Sequence, residues 1–264
     1  KKLKIENIIE CINIGRNLMR YIIIFILVLM STISYGGTVD PAKKDSQYIE
    51  FGSKFNYVFR IKCVTKEGLI YYASATAIDE HWILTAAHVV HKAQTVDLMI
   101  NDRLVRLNKI TPHKDFIEAN FGFYDIALCH VDEKLNLEFY PKLYTNNDEV
   151  GKICSIAGFG SYGTFETGAT SSDGKRRAGS NRIEAIDRHL LICKPSRQSE
   201  SDRTELEFII ANGDSGGGLF IGNEIAGVNS CVMAVDRKTD SNYGDEGCHT
   251  RVSQFVDWIK ENKK

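Results

Sequence analysis

A serine lies between an aspartate and three glycines in the stretch GDSGGGLF, residues 213–220. The stretch fits G-x-S-x-G, the strand-to-helix turn that exposes the nucleophile of an α/β-hydrolase. It fits equally a turn whose successive backbone N–H groups surround an acyl oxyanion. A glycine-rich loop that joins two strands and does no chemistry is a third interpretation.

A serine hydroxyl becomes an effective nucleophile when a histidine takes its proton and a carboxylate orients that histidine. Of seven histidines, His88 ends the apolar run WILTAAHVV beside two alanines, where small neighbours leave room for a reacting group. His91 forms an H-x-x-H with His88 but lacks the glutamate of a zinc-protease motif. Four others lie beside charged or turn residues, and we expect them at the surface: His81, His113, His130 and His189.

A carboxylate that could orient His88 is Asp125, which opens the apolar run DIALCHV. Burying a carboxylate there costs free energy unless a partner compensates it, although an aspartate that merely caps a turn is the alternative. In chain order, LTAAHVV, DIAL and GDSGG match the three active-site motifs of the trypsin/chymotrypsin-like serine proteases. The chain therefore resembles that family, and the order His88, Asp125, Ser215 excludes an α/β-hydrolase, in which the serine comes first.

Further stretches extend the resemblance over most of residues 45–264: HWILTAAH, GKICSIAGFG, IAGVNS and GCHTRVSQFVDWIK. Short runs of β-branched and aromatic residues, separated by Gly, Asn and Asp, independently favour an all-β barrel or sandwich. The resemblance implies two six-stranded antiparallel β-barrels packed together and a C-terminal helix, over residues 36–264. The halves would span about 45–140 and about 150–250, with the site in the cleft between them.

The resemblance also implies the role of each active-site residue. Ser215 would attack the scissile carbonyl, His88 would act as general base and then general acid, and Asp125 would orient His88. The N–H groups of Gly213 and Ser215 would form the oxyanion hole. We predict a serine endopeptidase that acts on polypeptides; a catalytically silent binding protein of the same fold is the alternative. No cofactor or metal is expected, and a net charge of −1 gives no reason to expect nucleic acid.

Five residues are expected around the primary substrate pocket by the same resemblance: Ile209, Ser230, Val232, Gly247 and His249. Ile209 stands where trypsin has a carboxylate, so specificity for Arg or Lys at P1 is not expected. Val232 would narrow the pocket while Gly247 keeps one wall open, which favours small or apolar P1 residues. His249 either packs in the back wall of the pocket or, if protonated, binds an acidic P1 side chain.

The amino-terminal segment predicts export. Residues 19–35 contain a basic residue, a short apolar run and small polar residues, the pattern of a secretory signal peptide. Residues 1–18 lack that character and are interpreted as an upstream extension foreign to the protein. We therefore expect a secreted protein, extracellular or periplasmic, without a stable membrane anchor.

The family pairs the aspartate before its nucleophile with a newly made amino terminus, and that aspartate is Asp214 here. Ile-Val-Gly-Gly does not occur, but SYGGT, residues 34–38, resembles its last part. Cleavage after Ser34 would leave Tyr35 as the amino terminus and would need no propeptide. The alternative is that other donors satisfy Asp214.

Six cysteines follow residue 35, and an even number in an exported chain permits disulfides: Cys63, Cys129, Cys154, Cys193, Cys231 and Cys248. The resemblance places Cys231 and Cys248 on neighbouring strands of the pocket, and we predict a bridge between them. The family's bridge beside its histidine is absent, since Ala73 and Val89 stand at its two positions.

Three segments give local predictions. Residues 40–55 are polar and rich in turn formers, which predicts an extended arm. Residues 161–181 are rich in Gly, Ser and Thr, which predicts an exposed and mobile loop. Ser253 can cap a helix through the tail SQFVDWIKENKK.

Overall fold

The computed structural model describes most of the chain, in five ranges: 37–101, 103–119, 122–197, 199–201 and 203–263. The expected upstream extension, 1–18, and signal peptide, 19–35, lie outside these described residues. No helix within the five ranges is long and apolar enough to cross a membrane.

The first half of the protein is a closed barrel of six strands, in the order β2-β3-β4-β7-β6-β5. Its strands are β2 (Val58–Thr65), β3 (Ile70–Ala77), β4 (Trp82–Thr85), β5 (Ala93–Ile100), β6 (Arg103–Pro112) and β7 (Ala127–Val131). The barrel closes because β2 pairs with both β3 and β5. Successive side chains of a strand face opposite sides, so a period-two pattern buries one face of the strand. In β2, Phe59, Ile61 and Cys63 are buried, whereas Arg60 and Lys62 are partly exposed.

The second half is an antiparallel sheet in the order β12-β9-β16-β17-β18-β14-β13, with β8 paired to β17. Its strands are β8 (Lys142–Leu143), β9 (Ile153–Gly158), β12 (Arg177–Arg182), β13 (Ala185–Asp187), β14 (Leu190–Cys193), β16 (Gly218–Ile221), β17 (Glu224–Met233) and β18 (Glu246–Arg251). A smaller sheet, in the order β11-β10-β1-β15, contains β1 (Thr38–Val39), β10 (Tyr162–Thr164), β11 (Gly168–Ser171) and β15 (Phe208–Ile209). The expected all-β fold in two halves is confirmed.

Three short α-helices accompany the strands in the described ranges: α1 (Asp45–Gly52), α2 (Ala87–Val90) and α3 (Val256–Asn262). The predicted extended arm is wrong, because α1 occupies half of it. The Gln47 side chain accepts a hydrogen bond from the Lys44 N–H at 3.0 Å, and Asp45 lies in the first turn, where a negative charge is favourable. Arg177 binds Asp45 through two nitrogens at 2.6 and 2.7 Å, so the helix is stabilised by a residue far away in sequence.

Two other local predictions need correction. Residues 161–181 hold β10, β11 and the start of β12, and Phe165 and Ala169 within them are buried, so most of this segment is part of the folded sheets. The C-terminal helix exists, but it begins at Val256 after a 3-10 turn, Val252–Gln254. The Ser253 hydroxyl does not cap that helix; it donates to Glu149 at 2.9 Å.

Candidate active site

An unusual backbone turn places the Asp125 side chain in the interior. Tyr124, directly before it, has a φ of 52°, in the left-handed region that residues with a Cβ rarely adopt. The Tyr124 ring stacks on His113 with ring centres 5.0 Å apart, and Phe255 packs against both rings. His113 is therefore buried rather than at the surface as predicted, and this packing holds Tyr124 in place.

The Asp125 carboxylate is almost fully buried and binds His88 twice. Its Oδ1 accepts the His88 backbone N–H at 2.8 Å, and its Oδ2 lies 2.7 Å from His88 Nδ1. Oδ2 also accepts the Ser230 hydroxyl at 2.6 Å. Burial would by itself raise the pKa of Asp125, but these hydrogen bonds and the His88 ring outweigh it and hold the pKa below its ordinary value. The carboxylate thus stays ionised and fixes the imidazole with its proton on Nδ1.

Ser215 lies in a tight turn between two residues in the left-handed region, Gly213 with φ 92° and Gly216 with φ 84°. A Cβ at Gly216 would come within 2.1 Å of Thr85 Oγ1 and 2.2 Å of the Ser74 carbonyl oxygen, so the backbone of the first half approaches too closely for a side chain. The Ser215 hydroxyl lies 3.4 Å from the Ser230 carbonyl oxygen. The geometry of this turn therefore requires glycine at position 216 and favours it at position 213.

The turn leaves two backbone donors without a partner. Within the described residues, the N–H groups of Gly213 and Ser215 donate no hydrogen bond. The carbonyl groups of the same two residues are both held by Ser74: its hydroxyl donates to Gly213 at 2.9 Å and its N–H donates to Ser215 at 2.9 Å. Two fixed donors of this kind can bind a developing oxyanion.

Asp214 points away from the cleft into the second half and is buried. It accepts hydrogen bonds from the N–H groups of Gly160 at 2.8 Å and Ala211 at 3.2 Å, and from the N–H of Gly37. Burial raises the pKa of Asp214 to about 6, because these neutral donors only partly compensate the lost hydration. The charge of Arg177 also lowers this pKa, but among the described residues no cation forms an ion pair with Asp214.

The family of the protein follows from a comparison with protein-family models, in which the trypsin model matches residues 54–259. The chain belongs to the trypsin family. Among curated relatives, mouse granzyme E is 28% identical over 228 residues, covering 79% of this chain and 86% of its own length. Serine protease SSP1 of the centipede Scolopendra subspinipes is 24% identical over 247 residues, covering 81% of each protein.

Solved structures support the fold of this trypsin-family chain. The structure called HL collagenase has a TM-score of 0.63 at 20% identity and covers 79% of this chain and 94% of its own. Neuropsin, described as a serine protease of mouse brain, has a TM-score of 0.61 at 18% identity and covers 80% of this chain and 96% of its own. At these sequence identities, the two structures show that this chain shares their fold and show nothing about its activity.

His88 and Ser215 of this trypsin-family chain face a common cleft of about 450 Å³. Its remaining lining residues are Ile210, Ala211, Asn212, Ser230, Cys231, Val232 and Thr239. Ser230 and Val232 were expected there. Sequence reasoning missed residues 210–212, although their position just before the GDSGG motif could have indicated them. It also missed Thr239, which lies in a polar loop and gives no signal.

Three residues expected in the pocket lie behind its surface instead. Ile209, Gly247 and His249 are buried and do not line the cleft. A Cβ at Gly247 would meet Ile209 Cγ1 at 3.2 Å, Ile210 Cγ1 at 3.4 Å and His249 Nε2 at 3.5 Å, so the space beside Gly247 is already filled. The open wall that Gly247 was expected to provide is closed by these side chains.

His249 is held as a neutral ring beneath the cleft. Its Nδ1 lies 2.9 Å from Asn229 Oδ1, while its Nε2 has no hydrogen-bond partner among the described residues. Burial lowers the pKa of His249 to about 3. The ring therefore carries no charge at neutral pH, and its geometry favours a packed back-wall residue over a reader of acidic P1 side chains.

Cys231 and Cys248 lie directly opposite each other on β17 and β18, as their predicted bridge requires. Both are free thiols in this structure, as are the four other cysteines of the described ranges. Cys154 and Cys193 form a second close pair, with sulfur atoms 3.9 Å apart. Each pair brings together two thiols that the sequence separates by 17 or more residues.

Proposed function

We propose that this chain is a serine endopeptidase in which Ser215, His88 and Asp125 act as a catalytic triad. The observation that carries the proposal is that Asp125 binds His88 through both carboxylate oxygens while His88 and Ser215 line one cleft. A binding function alone would not require a buried carboxylate to fix the tautomer of a histidine beside a serine.

The proposed reaction proceeds through an acyl-enzyme. His88 Nε2 takes the proton of Ser215 as the hydroxyl oxygen attacks the peptide carbonyl, and the Gly213 and Ser215 N–H groups bind the oxyanion. His88 then gives the proton to the leaving amine. A water molecule, deprotonated by His88, releases the acyl group and restores Ser215. Asp125 remains ionised throughout and stabilises the imidazolium.

The cleft supports a preference for small or apolar P1 residues. Ile210 and Val232 line it, and the buried layer beneath it contains Ile209 and the neutral His249. None of these groups offers a charge that would compensate the desolvation of a P1 Arg, Lys, Asp or Glu. An uncharged P1 residue therefore binds with a smaller loss of hydration free energy than a charged one.

We further propose that the active form is exported and that its amino-terminal ammonium pairs with Asp214. Tyr35, the terminus expected from the sequence, lies outside the described residues. The contacts of Gly37 support a start at Gly37 instead, because its nitrogen is already hydrogen-bonded to Asp214. A Cβ at Gly37 would also lie 2.8 Å from Asp214 Oδ2, so this position suits glycine.

Covalent labelling with a fluorophosphonate tests the proposed activity. The chain beginning at Gly37 should be labelled at Ser215, and His88→Ala should abolish labelling because the serine loses its base. Ser215→Ala serves as the matched negative control, and circular dichroism shows whether each variant is folded. A folded chain that neither labels nor cleaves peptide substrates is a silent binding protein, and the proposal is then wrong.

A further inference from the structure

Cys231 is a thiol in the wall of the proposed catalytic cleft. It lines the same cleft as His88 and Ser215 and directly follows Ser230, whose hydroxyl binds Asp125. Of the six cysteines in the described ranges, Cys231 alone is not buried. A reagent that enters the cleft therefore comes close to the least buried cysteine of the described ranges.

Cys248 lies behind Cys231 and is fully buried. The two residues form a directly opposed pair in the antiparallel ladder of β17 and β18, and the Cys248 thiol donates a hydrogen bond to the Glu246 carbonyl oxygen at 3.6 Å. The neighbouring Cys248 thiol lowers the pKa of Cys231, outweighing its burial, and the Cys231 thiol together with burial raises the pKa of Cys248. The two thiols therefore differ: Cys231 is the more accessible and forms a thiolate more readily, whereas Cys248 is buried and lies opposite it.

The other cysteines lack this combination. Cys154 and Cys193 are close to each other, but both are buried. Burial also raises the pKa of Cys63 and Cys129, which makes them poor nucleophiles. They provide internal controls for the reactivity of Cys231.

We propose that Cys231 and Cys248 form a redox couple, in which a small-molecule disulfide such as oxidised glutathione modifies Cys231 and Cys248 then resolves the adduct. The Cys231 thiolate attacks one sulfur of the disulfide, forms a mixed disulfide and releases one thiolate. Cys248 gives up its proton and attacks the Cys231 sulfur, which forms the Cys231–Cys248 bond and releases the second thiolate. Two protein thiols are oxidised and one small disulfide is reduced to two thiols.

The two oxidised forms have opposite consequences for the cleft. A glutathione group on Cys231 occupies space that the substrate needs beside Ser215. The internal disulfide removes that group and ties β17 to β18 next to the Val232–Gly247 pair, leaving the cleft open. This effect on turnover rests on the proposed function, whereas the thiol chemistry does not.

The test uses the chain beginning at Gly37, reduced and then exposed to oxidised glutathione. Intact mass and peptide mapping should show a glutathione adduct on Cys231 that is replaced in time by the Cys231–Cys248 disulfide. Peptide hydrolysis should fall in proportion to the adduct and recover as the disulfide replaces it. This time course needs no variant, so it does not depend on the folding of a mutant.

Two matched variants sharpen the result. Cys248→Ser should accumulate the adduct and stay inhibited until a reductant is added, because nothing resolves the mixed disulfide. Cys231→Ser should take up no glutathione, and its own activity should not respond to the reagent. An adduct on another cysteine, or a Cys248→Ser protein that clears its adduct as fast as the unmodified chain, would overturn the proposal. A chain without protease activity still gives the mass result, so the two proposals fail separately.

Discussion

The pairing of Asp214 with an amino terminus predicts a pH dependence of stability that differs between two forms of the chain. In a form extended before Gly37, the buried Asp214 carboxylate is held by the neutral N–H groups of Gly160, Ala211 and Gly37. Its pKa rises from 3.8 to about 6 because of burial. In a form that begins at Gly37, an ammonium group occupies the position of the Gly37 nitrogen, and an opposite charge lowers the pKa of a carboxyl.

The magnitude follows from linkage. Since folding raises the pKa of Asp214 in the extended form, the folded state binds the proton more tightly, and the resulting stability is fully present below pH 3.8. That stability is lost as the pH rises through about 6. A difference of about 2 pKa units corresponds to about 3 kcal/mol in the free energy of unfolding. The form that begins at Gly37 should lack this loss up to about pH 8, where its α-amino group starts to lose its proton.

Urea unfolding between pH 4 and pH 8, followed by tryptophan fluorescence, measures the effect in both forms. The free energy of unfolding of the extended form, minus that of the Gly37 form, should fall by about 3 kcal/mol between pH 4 and pH 7. Burial also raises the pKa of Asp245 to about 6, but Asp245 titrates in both forms and cancels in the difference. Superimposable profiles would refute the pairing. As a control, Asp214→Asn in the extended form should remove the contribution of Asp214 and leave that of Asp245.

Three further predictions concern the cleft and the turn. Ser230→Ala removes the 2.6 Å hydrogen bond to Asp125. Because such a bond to a charged group contributes about 1.5 kcal/mol, kcat should fall about tenfold while KM stays nearly unchanged. Steady-state kinetics that show a change in KM alone would contradict this prediction. Val232→Gly should raise kcat/KM for aromatic P1 residues relative to alanine in a peptide library, and an unchanged ranking would show that Val232 does not limit the pocket. Gly216→Ala should lower the free energy of unfolding by at least about 2 kcal/mol in urea titration, because φ is 84° and the added Cβ meets Thr85 and Ser74; an unaffected stability would contradict the close approach.

The all-β fold could be predicted, and the triad could be proposed, because the signals for both are local. Strand-length apolar runs favour an all-β barrel or sandwich, and the resemblance carried by the motifs around His88, Asp125 and Ser215 implies two barrels. Each of these motifs fits within a few residues. The helix α1 could not be predicted in this way. Its Asp45 is stabilised by Arg177, 132 residues away, and no pattern within the segment indicates that contact.

The lining of the cleft was harder to predict because the period-two rule of strands is broken there. The register of β17 against β18 shifts between Asn229 and Cys231, which marks a β-bulge. As a result Ser230, Cys231 and Val232, three consecutive residues, all line the cleft. His249, opposite Asn229, faces the interior instead.

Ser74, in the first half of the protein, helps to tie the two halves together beside the proposed catalytic residues. In the family a bridge lies beside the histidine within the first half, but Val89 and Ala73 take its two positions here. The next residue, Ser74, binds the carbonyl groups of Gly213 and Ser215, and its hydroxyl accepts the N–H of Phe159 at 2.9 Å. Since β3 belongs to the first half and these partners to the second, these bonds fix the distance between His88 and the serine turn. The geometry of the cleft therefore depends in part on these hydrogen bonds of Ser74. A reducing agent does not break them, so reduced Cys231 and Cys248 are compatible with an intact cleft.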